Sequence, residues 1–514
     1  MYNETIEIPL HAGELWWGGV VQGGVRMPFG LQPVTWDLYG NLAYNQANPL
    51  LLSNKGRHVW SEEPFRFSFA DGKLMIEGAK GTIKVGADER NLRGAFRRAS
   101  QVYFPASGAH PDLRFFTAPQ YNTWMEMSYK PTQNKVVAYA EAIVAHGLPP
   151  GILMIDDNWH EDYGTLDFHK GRFPEPASMM DRLHELGFTV MLWVCPFISP
   201  DGEVFRLLRD RGYLLQDTSG KPVVREWWNG FSGMLDLTNP DTADWFADEL
   251  DRLSEAYGID GYKLDAGDPQ YYKPDDVCAQ PTTPNGHCEA WARFGLRYSC
   301  NEYRAAWKCA GLPLVQRLSD KNHSWGIDGL ASLIPNGLAQ GLCGYAFNCP
   351  DMVGGGQYED LIRPDFQVDA ELFVRYAQCS ALFPMMQFST APWPVLDDRH
   401  LEYCIEAAQL HCRIGPEIAD LARHAAKTGE PIMRHMAYVF PEGGYEMVND
   451  QFMLGDDIMV APVLVKGAAA RSVVFPRGTW HGDDDSQVTG PCEAEIAAPL
   501  SRLPWYRRQQ ESGR

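Results

Sequence analysis

The sequence predicts an α/β protein: a (β/α)8 TIM barrel preceded by a β-sandwich and followed by a small β domain. Three observations carry this. From about residue 111 to 425, short apolar runs alternate with helix-length amphipathic stretches, the pattern of repeated βα units. One run, Gly261-Tyr262-Lys263-Leu264, stops abruptly on Asp265 with Gly267 close behind, as a barrel strand does when it delivers an acid to the rim of a site. The two ends of the chain carry the alternation and turn residues of antiparallel β structure.

Taken in order, residues 1–110 form the expected β-sandwich. Its clearest piece is a hairpin: Pro64-Phe65-Arg66-Phe67-Ser68-Phe69 alternates, Ala70-Asp71-Gly72 turns, and Lys73-Leu74-Met75-Ile76-Glu77 returns. Residues 111–425 form the barrel. Its strands are expected at 113–121, 152–156, 189–195, 261–265, 314–318, 324–328, 342–348 and 383–388, with helices such as 134–146, 178–186, 242–257 and 367–379 between them. An open doubly wound sheet is the alternative, but no glycine-rich phosphate loop follows any strand. Two insertions, near 200–240 and 266–290, break the rhythm, and long loops at the catalytic end of a barrel are commonly substrate walls. Residues 426–514 read as the C-terminal β domain, with no internal repeat anywhere.

Composition narrows the function. The 514 residues carry a net charge of −21, which argues against nucleic acid and against an anionic membrane surface as partners. No apolar run is long enough to span a bilayer. The N-terminus lacks the basic start and apolar core of a secretory signal, so a cytoplasmic location is expected, with a mature secreted or periplasmic form left open. The 11 cysteines show no disulfide framework and no zinc spacing, and are read as mostly buried free thiols. Cys278 and Cys288, which flank a loop, are read as unpaired, with a bridge as the alternative. The 16 tryptophans mildly favour a carbohydrate ligand, whose C–H faces stack on aromatic rings.

The candidate site is a set of strand ends. Lys263 lies two residues before Asp265 and so on the same face of the strand, where its charge would keep Asp265 ionised. Asp156 and Asp157 end the second strand in Ile155-Asp156-Asp157-Asn158-Trp159, and adjacent carboxylates suit the gripping of neighbouring sugar hydroxyls. Trp124, just after the first strand, is placed at the pocket wall.

These stretches, with Gly455-Asp456-Asp457-Ile458-Met459-Val460-Ala461-Pro462-Val463-Leu464 and Leu503-Pro504-Trp505-Tyr506-Arg507-Arg508, resemble glycoside hydrolase family 31 over most of the chain. Lys263-Leu264-Asp265-Ala266-Gly267-Asp268 and Pro384-Met385-Met386-Gln387-Phe388-Ser389 look most like its α-galactosidase branch. The resemblance implies a (β/α)8 barrel between β domains. It puts Asp265 at the nucleophile position and Asp328, in Trp325-Gly326-Ile327-Asp328, at the acid/base position. This chain keeps the family's Trp-to-Asp spacing there but moves the glycine; Asp320, eight residues earlier, is the competitor, and Asp328 is preferred because it ends an expected strand. In a retaining enzyme the two carboxyls stand roughly 5–5.5 Å apart.

The resemblance also implies a sugar-binding role for Arg317, stacking walls at Trp193 and at Trp227 or Trp228, and a reach into the site by Asp37 from the N-terminal domain. Asp351 matches a structural aspartate of the pocket floor. Many glucosidases of the family have Arg-x-His where this chain has Gln387-Phe388-Ser389, and the paired acid at 156–157 resembles the galactosidase branch. The expected function is therefore retaining hydrolysis of terminal α-galactosides, without metal or organic cofactor, on a small oligosaccharide or glycoside. The alternatives are α-glucosidase, α-xylosidase or sulfoquinovosidase activity, or a non-catalytic carbohydrate-binding role. The sequence leaves a homo-oligomer open.

Overall fold

The structure is a computed structural model and describes residues 5–40, 46–87 and 89–509. At its centre eight parallel strands run in the order Gln120–Asn122, Ile152–Ile155, Thr189–Val194, Gly261–Leu264, Asn301–Tyr303, Val315–Arg317, Asn348–Cys349 and Gln387–Phe388. The eighth pairs with the first, and the loop after the seventh reaches the eighth through a hydrogen bond from the Val353 N–H to the Gln387 carbonyl, so the barrel is nearly closed. Every residue of Ile152–Ile155 and Gly261–Leu264 is buried, as parallel strands covered by helices require.

Local chemistry fixes where each unit starts and stops. The helix Pro240–Tyr257 begins with the Asn239 side chain accepting from the Asp241 N–H and with Pro240 at the first position. It buries Phe246, Leu250 and Leu253 along one face and ends on Gly258 in the left-handed conformation, φ 73°. That stop turns the chain directly into Gly261–Leu264, the strand that carries Asp265.

Three expected strands are revised. The segment 324–328 is no strand: its turn is closed by hydrogen bonds from Asn322 N–H to the Asp328 carbonyl and from Leu330 N–H to the Ser324 carbonyl. Ile327, its one aliphatic residue, points to solvent, and Trp325 is partly buried against the core, so the segment has no alternating buried face. The missing barrel strand is Asn301–Tyr303, which makes Val315–Arg317 the sixth rather than the fifth. The segment 113–121 holds a helical turn, Arg114–Thr117, before Gln120–Asn122, and 342–348 holds the end of the helix Leu333–Leu342 before Asn348–Cys349.

The N-terminal part contains two sheets over one shared core that includes Phe67, Phe69, Leu50 and Leu52. The predicted hairpin is Arg66–Ala70 and Lys73–Glu77. The second sheet reaches into the barrel domain: Ala306–Trp307 pairs in parallel with Gln46–Ser53. After the 31-residue helix Asp398–Thr428, six antiparallel strands form the C-terminal sheet. All eleven cysteines are free thiols, Cys278 and Cys288 among them. No helix among the described residues is long and apolar enough to cross a membrane.

Candidate active site

A cavity of about 560 Å³ opens at the C-terminal ends of the barrel strands. On its wall stand Asp265, Lys263, Asp156, Asp157, Trp193, Arg317, Trp124 and Trp228, eight of the residues singled out from the sequence.

Asp265 is held on both oxygens. The Trp193 indole N–H donates to Oδ2 at 2.7 Å, and the Ala266 N–H donates to Oδ1 at 2.8 Å. Ala266 sits at φ 55°, a left-handed conformation that costs a non-glycine residue on the order of 1 kcal/mol and aims its N–H back at the carboxylate. The Lys263 ammonium lies 3.7 Å from Oδ2. Burial would raise this carboxyl, but Lys263, Arg304, Arg317 and the Trp193 hydrogen bond outweigh it and bring it down to about 2. Asp265 is therefore ionised throughout the neutral range.

Asp156 accepts from Lys263 at 2.7 Å and from the Asp157 N–H at 2.8 Å. Asp157 is more fully engaged. It accepts from the Asn158 N–H at 2.5 Å, from the Tyr163 hydroxyl at 3.1 Å and from the Asn229 amide at 2.7 Å. Burial, then the neighbouring Asp156, push the Asp157 carboxyl up to about 7 against those hydrogen bonds. Asp157 thus secures the tip of the hairpin Val224–Trp227/Gly230–Met234 as well as lining the pocket.

Arg317 ends the sixth strand. Its Nη1 donates to Asp320 at 2.9 Å and to Asp351 at 2.8 Å. Asp351 also accepts from the N–H groups of Lys321 and Gly356, which fixes the loop that carries Asp320. Asp320 lines the pocket, with Arg304 3.9 Å from its other oxygen. Arg304 is pinned by Asp268 at 3.2 Å and stacks on the Trp228 ring, 5.0 Å from its centre. The N-terminal part supports this wall: the buried Gln46 amide donates to the carbonyls of both Arg304 and Arg317.

Three sequence assignments are revised by position. Asp328 is not at the pocket; it is exposed on the 322–328 turn, where Asn322 and Ser324 donate to its carboxylate. The strand it was expected to end does not exist, and Asp320 is the acid that this loop brings to the cavity. Trp227 is buried beneath the hairpin against Phe197 and Tyr163, leaving Trp228 as the exposed ring. Asp37 turns back to accept from the Tyr39 N–H, and among the described residues of the N-terminal part it is Gln22 that lines the cavity.

Arg304, Asn229 and Tyr129 were not anticipated. Arg304 would have been flagged as a strand end had Asn301–Tyr303 been recognised. Gln387, at the eighth strand, is buried and donates to Gln120 and Glu302 in the barrel interior, while Ser389 donates to the Asn122 carbonyl. Neither lines the cavity.

A barrel whose pocket gathers Asp156, Asp157, Asp265 and Asp320, with Asp265 strongly ionised beside cations, has the carboxylate chemistry of glycoside-processing (β/α)8 barrels. The chain belongs to glycoside hydrolase family 31. Residues 118–418 match the family's TIM-barrel domain and residues 429–511 its C-terminal domain. The chain is 33% identical to the myogenesis-regulating glycosidase of Mus musculus over 86% of its own length and 62% of the relative's. It is 24% identical to alpha-xylosidase XylQ of Lactiplantibacillus pentosus over 92% of its length and 65% of that protein's. The chain thus spans somewhat less than two thirds of these relatives. A Flavobacterium johnsoniae dextranase complexed with glucose superposes with TM-score 0.85 at 20% identity, covering 98% of this chain and 67% of that one, which supports the fold.

Proposed function

We propose that the chain is a retaining α-glycosidase with Asp265 as nucleophile and Asp320 as acid/base. The observation that carries this reading is the setting of Asp265: ionised at about 2, fixed on both oxygens, and sharing one sugar-sized cavity with Asp320. In the first step Asp265 attacks the anomeric carbon while Asp320 gives a proton to the departing glycosidic oxygen. Asp265 becomes a neutral ester, which removes one negative charge from the pocket and eases ionisation of Asp320. Asp320 then takes a proton from water, which attacks the anomeric carbon and frees Asp265 with overall retention. Lys263, Arg304 and Arg317 offset the carboxylates throughout, and Trp228 and Trp124 offer apolar faces to the ligand.

The sugar we propose is α-linked galactose. The paired acids Asp156 and Asp157 line the cavity, and the eighth strand contributes no basic group to it. Release of 4-nitrophenol from a panel of 4-nitrophenyl α-glycosides tests both levels. Cleavage of the α-galactoside, lost in Asp265→Asn, supports the reading. Preference for the α-glucoside or α-xyloside sinks the sugar assignment, and sugar binding without turnover sinks the enzyme.

A further inference from the structure

Beneath the pocket floor lies a buried acid that the double displacement does not use. Glu302, the middle residue of Asn301–Tyr303, is fully buried. Its Cα is in register with Lys263, and Lys263 with Trp193. Residues in register on neighbouring parallel strands point the same way, so the three side chains face the barrel interior side by side. Of these, Trp193 and Lys263 both contact Asp265. Glu302 Oε2 accepts from Gln387 at 2.7 Å. Its Oε1 faces Nε of Arg317 at 3.7 Å, and neither atom has a hydrogen-bond partner among the described residues. The same guanidinium holds Asp320 through Nη1.

The titratable groups facing Glu302 are Lys263 from the fourth strand, Arg317 from the sixth, Asp156 beyond the second, Cys349 from the seventh and Cys300 beside its own strand. Gln120 and Gln387, from the first and eighth, are neutral. Burial raises the Glu302 carboxyl to about 7, with Arg317, Lys263 and the Gln387 hydrogen bond opposing it. Its charge therefore changes within the neutral range.

We propose that Glu302 is a positioning residue: its protonation inside the barrel determines how fully Arg317 and Lys263 are offset, and through them it sets the electrostatic field at Asp320 and Asp265. The proposal rests on the retaining mechanism above. An ionised Glu302 offsets part of the two cations, so the positive field they exert on Asp320 and Asp265 weakens. A neutral Glu302 leaves Lys263 offset by Asp156 and Asp265 and Arg317 by Asp320 and Asp351, so the positive field at the pocket strengthens.

The test compares the full chain as wild type, Glu302→Gln and Glu302→Asp, following kcat/KM against pH on whichever 4-nitrophenyl α-glycoside the wild type cleaves. In Glu302→Gln the basic limb should fall by about one pH unit while KM changes by less than about threefold. Glu302→Asp keeps the charge and should shift the limb less; it also carries the test if the glutamine variant does not fold. Superimposable limbs with reduced kcat would make Glu302 a packing residue and overturn the proposal. A second measurement needs no turnover. Infrared difference spectra between about pH 5 and about pH 9 should contain a buried-carboxyl signal that Glu302→Gln lacks. Identical spectra overturn the inference, whereas that signal in a chain that cleaves no glycoside counts against the functional reading alone.

Discussion

The Trp193 indole donates to Oδ2 of Asp265 at 2.7 Å, and Lys263 approaches the same oxygen at 3.7 Å. Trp193 was expected as a stacking wall, yet its ring is almost wholly buried and its polar edge is what meets the site. A hydrogen bond to a charged acceptor contributes about 1.5–3 kcal/mol, and here it favours the ionised form. Trp193→Phe should therefore lower kcat/KM by about ten- to a hundredfold. The acid limb should move to higher pH, because Asp265 loses a donor that stabilises its charge. A rise in KM with an unmoved acid limb would return Trp193 to the stacking role.

The positions of Asp320 and Asp328 make a sharper test. Asp320 stands at the cavity between Arg317 and Arg304, whereas Asp328 is exposed on a turn. Removing a general acid costs about 10²–10⁴-fold, and least with leaving groups that need no proton. Asp320→Asn should therefore lose most activity on an alkyl glycoside, retain more on a 4-nitrophenyl glycoside, and recover turnover with added azide. Asp328→Asn should stay within about twofold of wild type, as surface changes do. The opposite ranking would restore the assignment suggested by Trp-to-Asp spacing.

The contrast between these two acids shows what the sequence could reveal. Strands that pass through the barrel core as apolar runs, such as Ile152–Ile155 and Thr189–Val194, were legible because burial on both faces demands such residues. So were Asp156 and Asp157, which end the first of them. Asn301–Tyr303 was illegible because its three residues put Glu302 into a polar barrel interior and carry no apolar signature. Missing that strand shifted the count and promoted the 324–328 turn in its place, which carried the acid/base assignment to Asp328. Trp227 and Trp228 were indistinguishable because neighbouring residues near a hairpin tip take opposite environments according to the turn, and nothing in their identity records it.

Asp157 predicts a pH dependence of stability. Its folded carboxyl holds a proton up to about 7, whereas an unfolded chain releases it near the ordinary carboxylate value. The contribution is fully present below that ordinary value and is lost as pH rises to about 7, after which it is constant. Asp265 has the opposite sign, and its contribution is lost as pH falls toward about 2. Between about pH 5 and pH 8 the Tm of Asp157→Asn should therefore fall less, or rise more, with pH than that of the wild type, whatever its absolute offset. Parallel Tm curves would remove Asp157 as the source.

Asn229 ties the Trp228 hairpin to the pocket. Its amide donates to Asp157 at 2.7 Å and to the Tyr163 hydroxyl at 2.8 Å, and its carbonyl accepts from the Tyr129 hydroxyl at 2.8 Å. Both ends of the side chain are thus committed, and the neighbouring Trp228 ring is held over Arg304. Trp228 itself is 41% exposed and rests on Trp227 and Tyr271 besides Arg304. Cutting the tether should free the ring while leaving Asp265, Lys263 and Arg317 in place, since none of them contacts Asn229. Asn229→Ala should therefore raise KM by about tenfold, in keeping with the roughly 1–3 kcal/mol cost of unsatisfied buried partners, with kcat lowered by less than about threefold. Trp228→Ala should give a similar KM, and the double variant should be little worse than either, because the two changes remove one contact with the ligand. Additive losses would show that Asn229 meets the sugar directly.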